Sequence, residues 1–270
     1  IYFGLFDGQK GNGMGQFLIV SKADRLADYC QIAQSYQVGF EYNDFYDPVV
    51  LSDEERLDGI WQQYDACRKP SICTMHGAFL DVTVFSADPK IREVSELRML
   101  QSMQQAERGK VSGVVFHTNI NPFLNDSSYI QNAVSMTGDF VEKLLLQFPD
   151  LSIYMENMFD DDPDMLRMLS ERLIKYPNYG VCLDYAHASL SRTEIDIWVE
   201  ALAPYVRHVH INDHDGKHDL HLAVGSGVTD WKKFAVFYEK YFSSLTVLVE
   251  TTRPDWQKQS LDYLMRLGVK

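Results

Sequence analysis

The strongest constraint on the fold is an alternation. Short apolar runs of strand length are each followed by a longer stretch with helical spacing, and the pair recurs along the chain. The strand runs are Tyr2–Phe6, Gly39–Tyr42, Ser71–Phe79, Val111–His117, Leu151–Glu156, Tyr179–Asp184, Val206–Asp213 and Leu245–Glu250. The helical stretches are Ala23–Gln37, Glu54–Arg68, Ile91–Arg108, Tyr129–Gln147, Asp164–Lys175, Thr193–Ala203, Trp231–Phe242 and Asp255–Leu267. Ser52-Asp53 supplies a capping signal, and Pro163 stands at a first-turn position. Val111–His117 is a near-continuous apolar run, as expected of a strand buried on both faces. Eight units over roughly 250 residues are the count of an α/β (β/α)8 TIM barrel. A doubly wound open sheet would not ask for eight even repeats. No linker divides the chain, so residues 1–270 read as one domain. The glycines at 11, 13 and 15 lack both P-loop and dinucleotide spacing and read as flexible backbone.

Charge narrows the partners. Asp plus Glu outnumber Lys plus Arg by 38 to 25, giving a formal net charge of -13. That field disfavours avid non-specific DNA or RNA binding while leaving room for a local basic groove. Cys30, Cys67, Cys73 and Cys182 form no C-x-x-C and read as reduced thiols of a cytoplasmic protein. No apolar run reaches membrane-spanning length, and Ile1-Tyr2-Phe3 carries no basic signal-peptide segment. Self-association into a homo-oligomer is left open.

Chemistry collects at the strand ends. Half of the eight histidines lie between His210 and His221, in a loop that also holds Asp213, Asp215 and Asp219. Val206, His208 and His210 share one face of their strand under period-two alternation. His76, His117, Glu156 and Asp184 end strands three to six; His187 follows, His210 and Glu250 end strands seven and eight, and Asp219 and His221 occupy the intervening loop. On this reading every histidine lies at or past a strand end and none in a helix. In a barrel such positions converge on the C-terminal mouth, where catalytic groups are found. Imidazole and carboxylate together suit a divalent metal such as zinc or manganese. Four carboxylates with neutral imidazoles leave an anionic surplus around one divalent ion and are better balanced by two or three, so one to three ions are expected.

Several segments carry a family resemblance: Met75-His76-Gly77, Val115-Phe116-His117, Met155-Glu156-Asn157, Gly180–His187, His210-Ile211-Asn212-Asp213, Asp219-Leu220-His221 and Gly225-x-Gly227 before Asp230-Trp231. They resemble the xylose isomerase-like TIM-barrel superfamily, which holds sugar and sugar-phosphate isomerases and epimerases beside the endonuclease IV (apurinic endonuclease family 2) enzymes. The resemblance implies a four-ligand epimerase-type metal site at Glu156, Asp184, His210 and Glu250, whose two glutamates also move protons. It implies that His76, His117, His187, Asp219 and His221 complete the three-zinc ligand set of endonuclease IV. Tyr185 and Leu220 depart from that nuclease pattern, which has Ser or Thr and Arg there.

Two reactions follow from the resemblance. The leading expectation is a metal-dependent isomerase or epimerase of a sugar or sugar phosphate, with Glu156 and Glu250 exchanging the proton beside a polarised carbonyl. His187 and Glu41 would meet substrate hydroxyls, and Lys217 or Arg253 a phosphate. The alternative is phosphoester hydrolysis by a multi-zinc cluster, on abasic DNA or a small phosphorylated metabolite. A metal-stabilised barrel that only binds its ligand is the third class. Phe40, Tyr42, Phe45 and Tyr46 read equally as pocket wall and as packing. Trp198, Trp231 and Trp256 read as packing, and Asp213 and Asp215 either orient imidazoles or are solvated.

Overall fold

The computed structural model describes residues 14, 16–124 and 126–270. Within them eight parallel strands pair in sequence order and close into a barrel. The strands are β1 (Phe17–Ser21), β2 (Gly39–Tyr42), β3 (Cys73–His76), β4 (Gly113–His117), β5 (Ser152–Glu156), β6 (Tyr179–Asp184), β7 (Val206–Ile211) and β8 (Thr246–Val249). Around them run α1 (Leu26–Tyr36), α2 (Pro48–Leu51), α3 (Glu54–Asp65), α4 (Pro89–Gly109), α5 (Ser127–Gln147), α6 (Asp164–Leu173), α7 (Tyr185–Leu190), α8 (Ile195–Leu202), α9 (Trp231–Phe237) and α10 (Pro254–Arg266). The TIM barrel expected from the alternation is present. The helix expected over Trp231–Phe242 changes at Tyr238 into a π-helical turn.

The first strand is a correction. Tyr2–Phe6 and the glycines at 11, 13 and 15 lie outside the described residues. The barrel position between β2 and β8 belongs to Phe17–Ser21, whose Leu18 pairs with Gly39 on one side and Leu248 on the other. Its run Phe-Leu-Ile-Val is buried throughout, as a strand covered on both faces requires. Alternate residues divide between two layers. Ile19, Phe40, Met75, Val114, Ile153, Val181, Val209 and Val247 face the helices and join the main apolar core. Leu18, Val20 and Leu248 fill the lumen on one side, and Val115, Tyr154 and Cys182 on another. Glu41, Thr74 and His208 are fully buried polar residues of the same strands.

The cysteine expectation is also corrected. Cys30 on α1 and Cys67 beyond α3 form a disulfide, and only Cys73 and Cys182 are free thiols. The pair is 37 residues apart, a spacing no local motif marks. It is the barrel winding that lays consecutive helices side by side. No helix among the described residues is long and apolar enough to cross a membrane.

The loop after β7 is held by one carboxylate. Asp213 accepts hydrogen bonds from the backbone N–H groups of His214 (3.0 Å), Gly225 (3.0 Å), Gly227 (2.9 Å) and Thr229 (3.1 Å), and from Trp231 Nε1 (2.9 Å). Gly227 must be glycine because a Cβ there would stand 2.5 Å from Asp213 Oδ1 and 2.2 Å from His214 O. Gly225 sits at φ +84°, where side chains are strained. Burial pushes the Asp213 pKa up, but the Trp231 indole and the backbone donors override it and hold it below the usual value of 3.8. Asp213 therefore stabilises the fold fully above about pH 4, and that contribution is lost as pH falls through its depressed folded-state pKa. Asp213→Ala leaves several buried donors unpaired and lowers unfolding free energy by roughly 3 kcal/mol, read from urea denaturation at pH 7.

Candidate metal centre

Parallel closure puts the last residue of every strand on one rim. His76, His117, Glu156 and Asp184 are the final residues of β3 to β6, His210 lies one residue before the end of β7, and Glu250 directly follows β8. Register sets neighbours abreast: His117 pairs with Glu156, and Asp184 with His210. Asp184 also caps α7, its carboxylate accepting from His187 N at 2.7 Å. His187 therefore stands in the first turn of that helix, which corrects the expectation that no histidine is helical. Asn157 locks β5 to β6 by bonding both the N–H and the C=O of Asp184, each at 2.9 Å.

All nine residues expected to ligate metal come together, and they sort into three groups. These are His76 with His117 and Glu156; Glu156 with Asp184, His210 and Glu250; and His187 with Asp219 and His221. In each group one donor atom per residue lies within 4.8 Å of the others. Glu156 belongs to two. Its Oε2 faces His117 Nε2 at 3.1 Å and His76 Nε2 at 3.7 Å, while its Oε1 faces His210 Nδ1 at 3.0 Å. Asp219 Oδ2 lies 3.2 Å from His187 Nε2 and 2.9 Å from His221 Nε2.

Imidazole orientation is fixed from behind. Backbone carbonyls accept from His76 Nδ1 (Gly77, 3.0 Å), His187 Nδ1 (Asn157, 2.9 Å) and His221 Nδ1 (Glu250, 3.0 Å). That tautomer leaves each Nε2 lone pair aimed into the site, the arrangement of histidines that bind metals. His210 is reversed, with Nδ1 facing Glu156 and Glu250 and Nε2 lying 3.4 Å from Glu41 Oε1. Both oxygens of Glu156, one of Asp184 and Glu250, and both nitrogens of His210 are buried without a hydrogen-bond partner. Unpartnered buried polar atoms are costly, and so many aimed at one small volume fit divalent cations.

Electrostatics without a metal is strained in the expected direction. Burial pushes Asp184 up to about 8, against the pull of His187 and with the push of Glu250 and Glu156. Burial lowers His221, but Glu250 and Asp219 carry it up to about 10. Burial lowers His187 and His210 too, but both are held well above the usual imidazole value, His187 by Asp184 with Asp219 and Glu156, and His210 by Cys182 with Glu156, Glu41 and Glu250. Burial also raises Glu250, yet His210 and His221 bring it down to about 2.

Three further sites expected from the sequence are placed differently. Glu41 is fully buried below the rim, bonded by Thr74 Oγ1 (2.8 Å) and His208 Nε2 (3.2 Å), so no substrate hydroxyl reaches it. Burial raises its pKa, but His210 and His208 reverse the shift and keep it ionised. It orients His210 instead. Lys217 is exposed in the loop clamped by Asp215 and does not line the cavity. Asp215 bonds the exposed His218 at 2.9 Å, so neither it nor Asp213 holds a ligand imidazole. Arg253 does reach the mouth, paired with Asp255 at 2.6 Å and lying 4.2 Å over the Trp256 ring.

Above the donors opens a cavity of about 320 Å³. Tyr46, Phe79, Met158, Leu220 and Trp256 wall it, with Lys22, Asn43 and Thr251 at the rim. Tyr46 stacks on Phe79 at 5.1 Å, and Phe79 on His117 at 4.6 Å. Of the aromatics at β2, Phe40, Tyr42 and Phe45 are core. Trp198 and Trp231 are buried packing, whereas Trp256 faces the mouth. Lys22 was missed because the strand it terminates was placed at Tyr2–Phe6.

Metal uptake must displace protons from this cluster. Zinc binding at pH 7 therefore releases protons and tightens as pH rises, which calorimetry in buffers of different ionisation enthalpy measures directly. Glu41→Gln keeps the volume but removes the negative charge behind His210. Metal affinity falls about 10- to 100-fold, read by competition with a chromophoric chelator.

Comparison with known proteins places this geometry. An uncharacterised Methanocaldococcus jannaschii protein, MJ1614, is 25% identical over 164 residues, covering 60% of this chain and 63% of that relative. The match thus spans less than two thirds of the curated relative's length. Solved structures that share the fold include three of note. The Thermus thermophilus protein TTHB071, from a crystal soaked in zinc chloride, has 22% identity and a TM-score of 0.78 over 94% of this chain and 98% of its own. A D-tagatose 3-epimerase-like protein has 17% identity and a TM-score of 0.75, with 94% and 97% coverage. Endonuclease IV from Thermus thermophilus has 15% identity and a TM-score of 0.63, with 94% and 98% coverage. At these identities the likeness is one of fold. The family model described as "Xylose isomerase-like TIM barrel" matches residues 32–267, and the chain belongs to that family.

Proposed function

We propose that the protein hydrolyses small phosphoesters at a multinuclear divalent-metal centre. One observation carries the reading: the two carboxylate oxygens of Glu156 are divided between separate donor groups. A proton-transfer base needs a carboxylate oxygen free to face the substrate. Glu156 has none to spare, whereas a carboxylate shared by two cation sites uses both.

His76, His117 and Glu156 would hold one ion, Glu156, Asp184, His210 and Glu250 a second, and His187, Asp219 and His221 a third. Zinc and manganese both suit this nitrogen and oxygen donor set. When bound, such ions supply an activated water and positive charge for the phosphoryl and departing oxygens. The chain does the rest. Backbone carbonyls hold the imidazoles of His76, His187 and His221 by their Nδ1 atoms, Glu41 places a negative charge behind His210, and Asn157 fixes the position of Asp184. Tyr46, Phe79 and Met158 shield one side of the cavity from water. Leu80, Phe123, Phe159 and Leu220 are exposed on the loops after β3, β4, β5 and β7. An apolar border on an acidic protein favours a small phosphorylated metabolite over a DNA duplex.

The isomerase or epimerase reading is the second. Glu156, Asp184, His210 and Glu250 by themselves make a four-donor group sufficient for one ion, and an epimerase-like protein shares the fold. Exchange of substrate hydrogen with deuterated water across ketoses and their phosphates would favour it.

The test is reconstitution of chelated protein with zinc or manganese, followed by metal counting and assay. The expected result is two or three ions per chain and cleavage of p-nitrophenyl phosphate or bis(p-nitrophenyl) phosphate that chelator abolishes. Glu156→Gln lowers kcat/KM by at least about a hundredfold, since it disturbs two ion positions at once. One ion per chain with hydrogen exchange and no phosphate release overturns the hydrolytic reading. Cleavage of an abasic duplex with steep salt sensitivity would move the substrate to DNA.

A further inference from the structure

The mouth of the cavity is chemically mixed. The donor cluster comes from the ends of β3 to β8, while Lys22, just beyond β1, and Arg253, three residues past Glu250, add two cations to the same lining. Register makes these two neighbours. Ile19 pairs with Val249, so β1 and β8 are adjacent and the segments that leave them toward Lys22 and Arg253 start side by side. On the other flank of β1 Ser21 pairs with Tyr42, which brings Asn43 level with Lys22.

Lys22 is half-buried and, among the described residues, makes no ion pair. The nearby carboxylate, Asp44, attracts Lys22 without bonding it and accepts from Ala23 N at 3.1 Å and from the Tyr64 hydroxyl at 2.6 Å. The ammonium instead lies 5.7 Å from the centre of the Tyr46 ring, on the cavity wall. The Arg253 guanidinium lies 4.2 Å from the centre of the Trp256 ring and donates to the Asp255 carboxylate through Nε and one terminal nitrogen. In a chain of net charge -13, two adjacent cations directed at a cavity are a local reversal of sign. Ions held by the donor groups would supply positive charge for a phosphoryl group there, which leaves Lys22 and Arg253 available to a second anion.

We infer that Lys22, assisted by Arg253 and Asn43, binds a second anionic group of the substrate, so that the substrate is a small phosphoester whose far end carries a phosphate or carboxylate. This rests on the hydrolytic reading for the first phosphoryl group. The second group accepts charge-assisted hydrogen bonds from the Lys22 ammonium and Arg253 guanidinium, with the carbon chain between the two anions lying against Tyr46 and Phe79. One such contact in a partly desolvated mouth corresponds to about a tenfold gain in affinity.

The test uses the zinc-loaded protein and calorimetric titration with three matched series of two to five carbons. These are monoalkyl phosphates, α,ω-alkanediyl bisphosphates and ω-carboxyalkyl phosphates. The expected result is a preference of about tenfold or more for one doubly anionic series at a particular chain length, and the preferred series identifies the second group. In Lys22→Met, checked for unchanged metal content and circular dichroism, that preference collapses toward one. Lys217→Met, altered outside the cavity, retains it. Equal affinity for all three series overturns the inference while leaving phosphoester hydrolysis intact. A preference that persists in Lys22→Met overturns the assignment to Lys22. Failure of every series to bind overturns the inference and the hydrolytic reading together.

Discussion

Four carboxylates, Glu156, Asp184, Asp219 and Glu250, converge on one barrel rim, three of them almost wholly removed from water. Like charges so placed repel strongly in a medium of low effective dielectric, and burial itself disfavours the ionised forms. In the metal-free chain His187, His210 and His221 are held above the usual imidazole range and offset part of the cost, while burial, against the pull of His187 and with the push of Glu250 and Glu156, carries Asp184 up to about 8. Cations satisfy the same atoms more completely. The rest of the upper barrel is arranged to keep this collection in place against its own repulsion.

That support runs downward into the lumen. Many barrels of this kind fill the interior with branched apolar side chains. Here Glu41, Thr74, His208 and Thr246 make a connected polar layer directly beneath His210. His208 stacks on Tyr154 at 5.4 Å and ties β7 to β8 through Thr246 at 2.6 Å. A buried carboxylate behind a ligating imidazole raises its basicity and fixes which nitrogen is free. The lumen therefore acts on the chemistry above it, and its polarity is the physical counterpart of the crowded rim.

The loops over the rim divide the labour. Asp213 gathers five donors and closes the β7 loop so that Asp219 and His221 return over the site. His221 takes a positive φ of 45° to do so, a strain tolerated where the surrounding contacts fix the chain. The aromatic wall of Tyr46 and Phe79 comes instead from the β2 and β3 loops, and the cationic edge from β1 and β8. β3 and β8 each supply both a donor and a wall residue, His76 with Phe79 and Glu250 with Arg253, so the lining and the donor cluster are built from the same strand ends.

Alternation of apolar runs with helical stretches was enough to give the barrel, because each period reports directly on a buried face. Strand-end histidines and carboxylates were legible for the same reason: a parallel barrel sends all its strand ends to one mouth, so position along the sequence becomes position in space. The boundary of β1 was not legible, since Phe17–Ser21 and Tyr2–Phe6 are equally apolar and only pairing with Gly39 and Leu248 selects one. With that strand went Lys22. Glu41 looked like a substrate contact because strand reading gives the face of a residue but not its height in the lumen, which the barrel's stagger sets. The Cys30–Cys67 link and the exclusion of Lys217 depend likewise on which helices and loops lie side by side. Sequence by itself determined the barrel and the list of strand-end histidines and carboxylates that could hold a metal, since both follow from position along the strands. Tertiary structure alone decided how those side chains partition into three groups, with Glu156 in two of them, because distances between strand ends follow from closure and register.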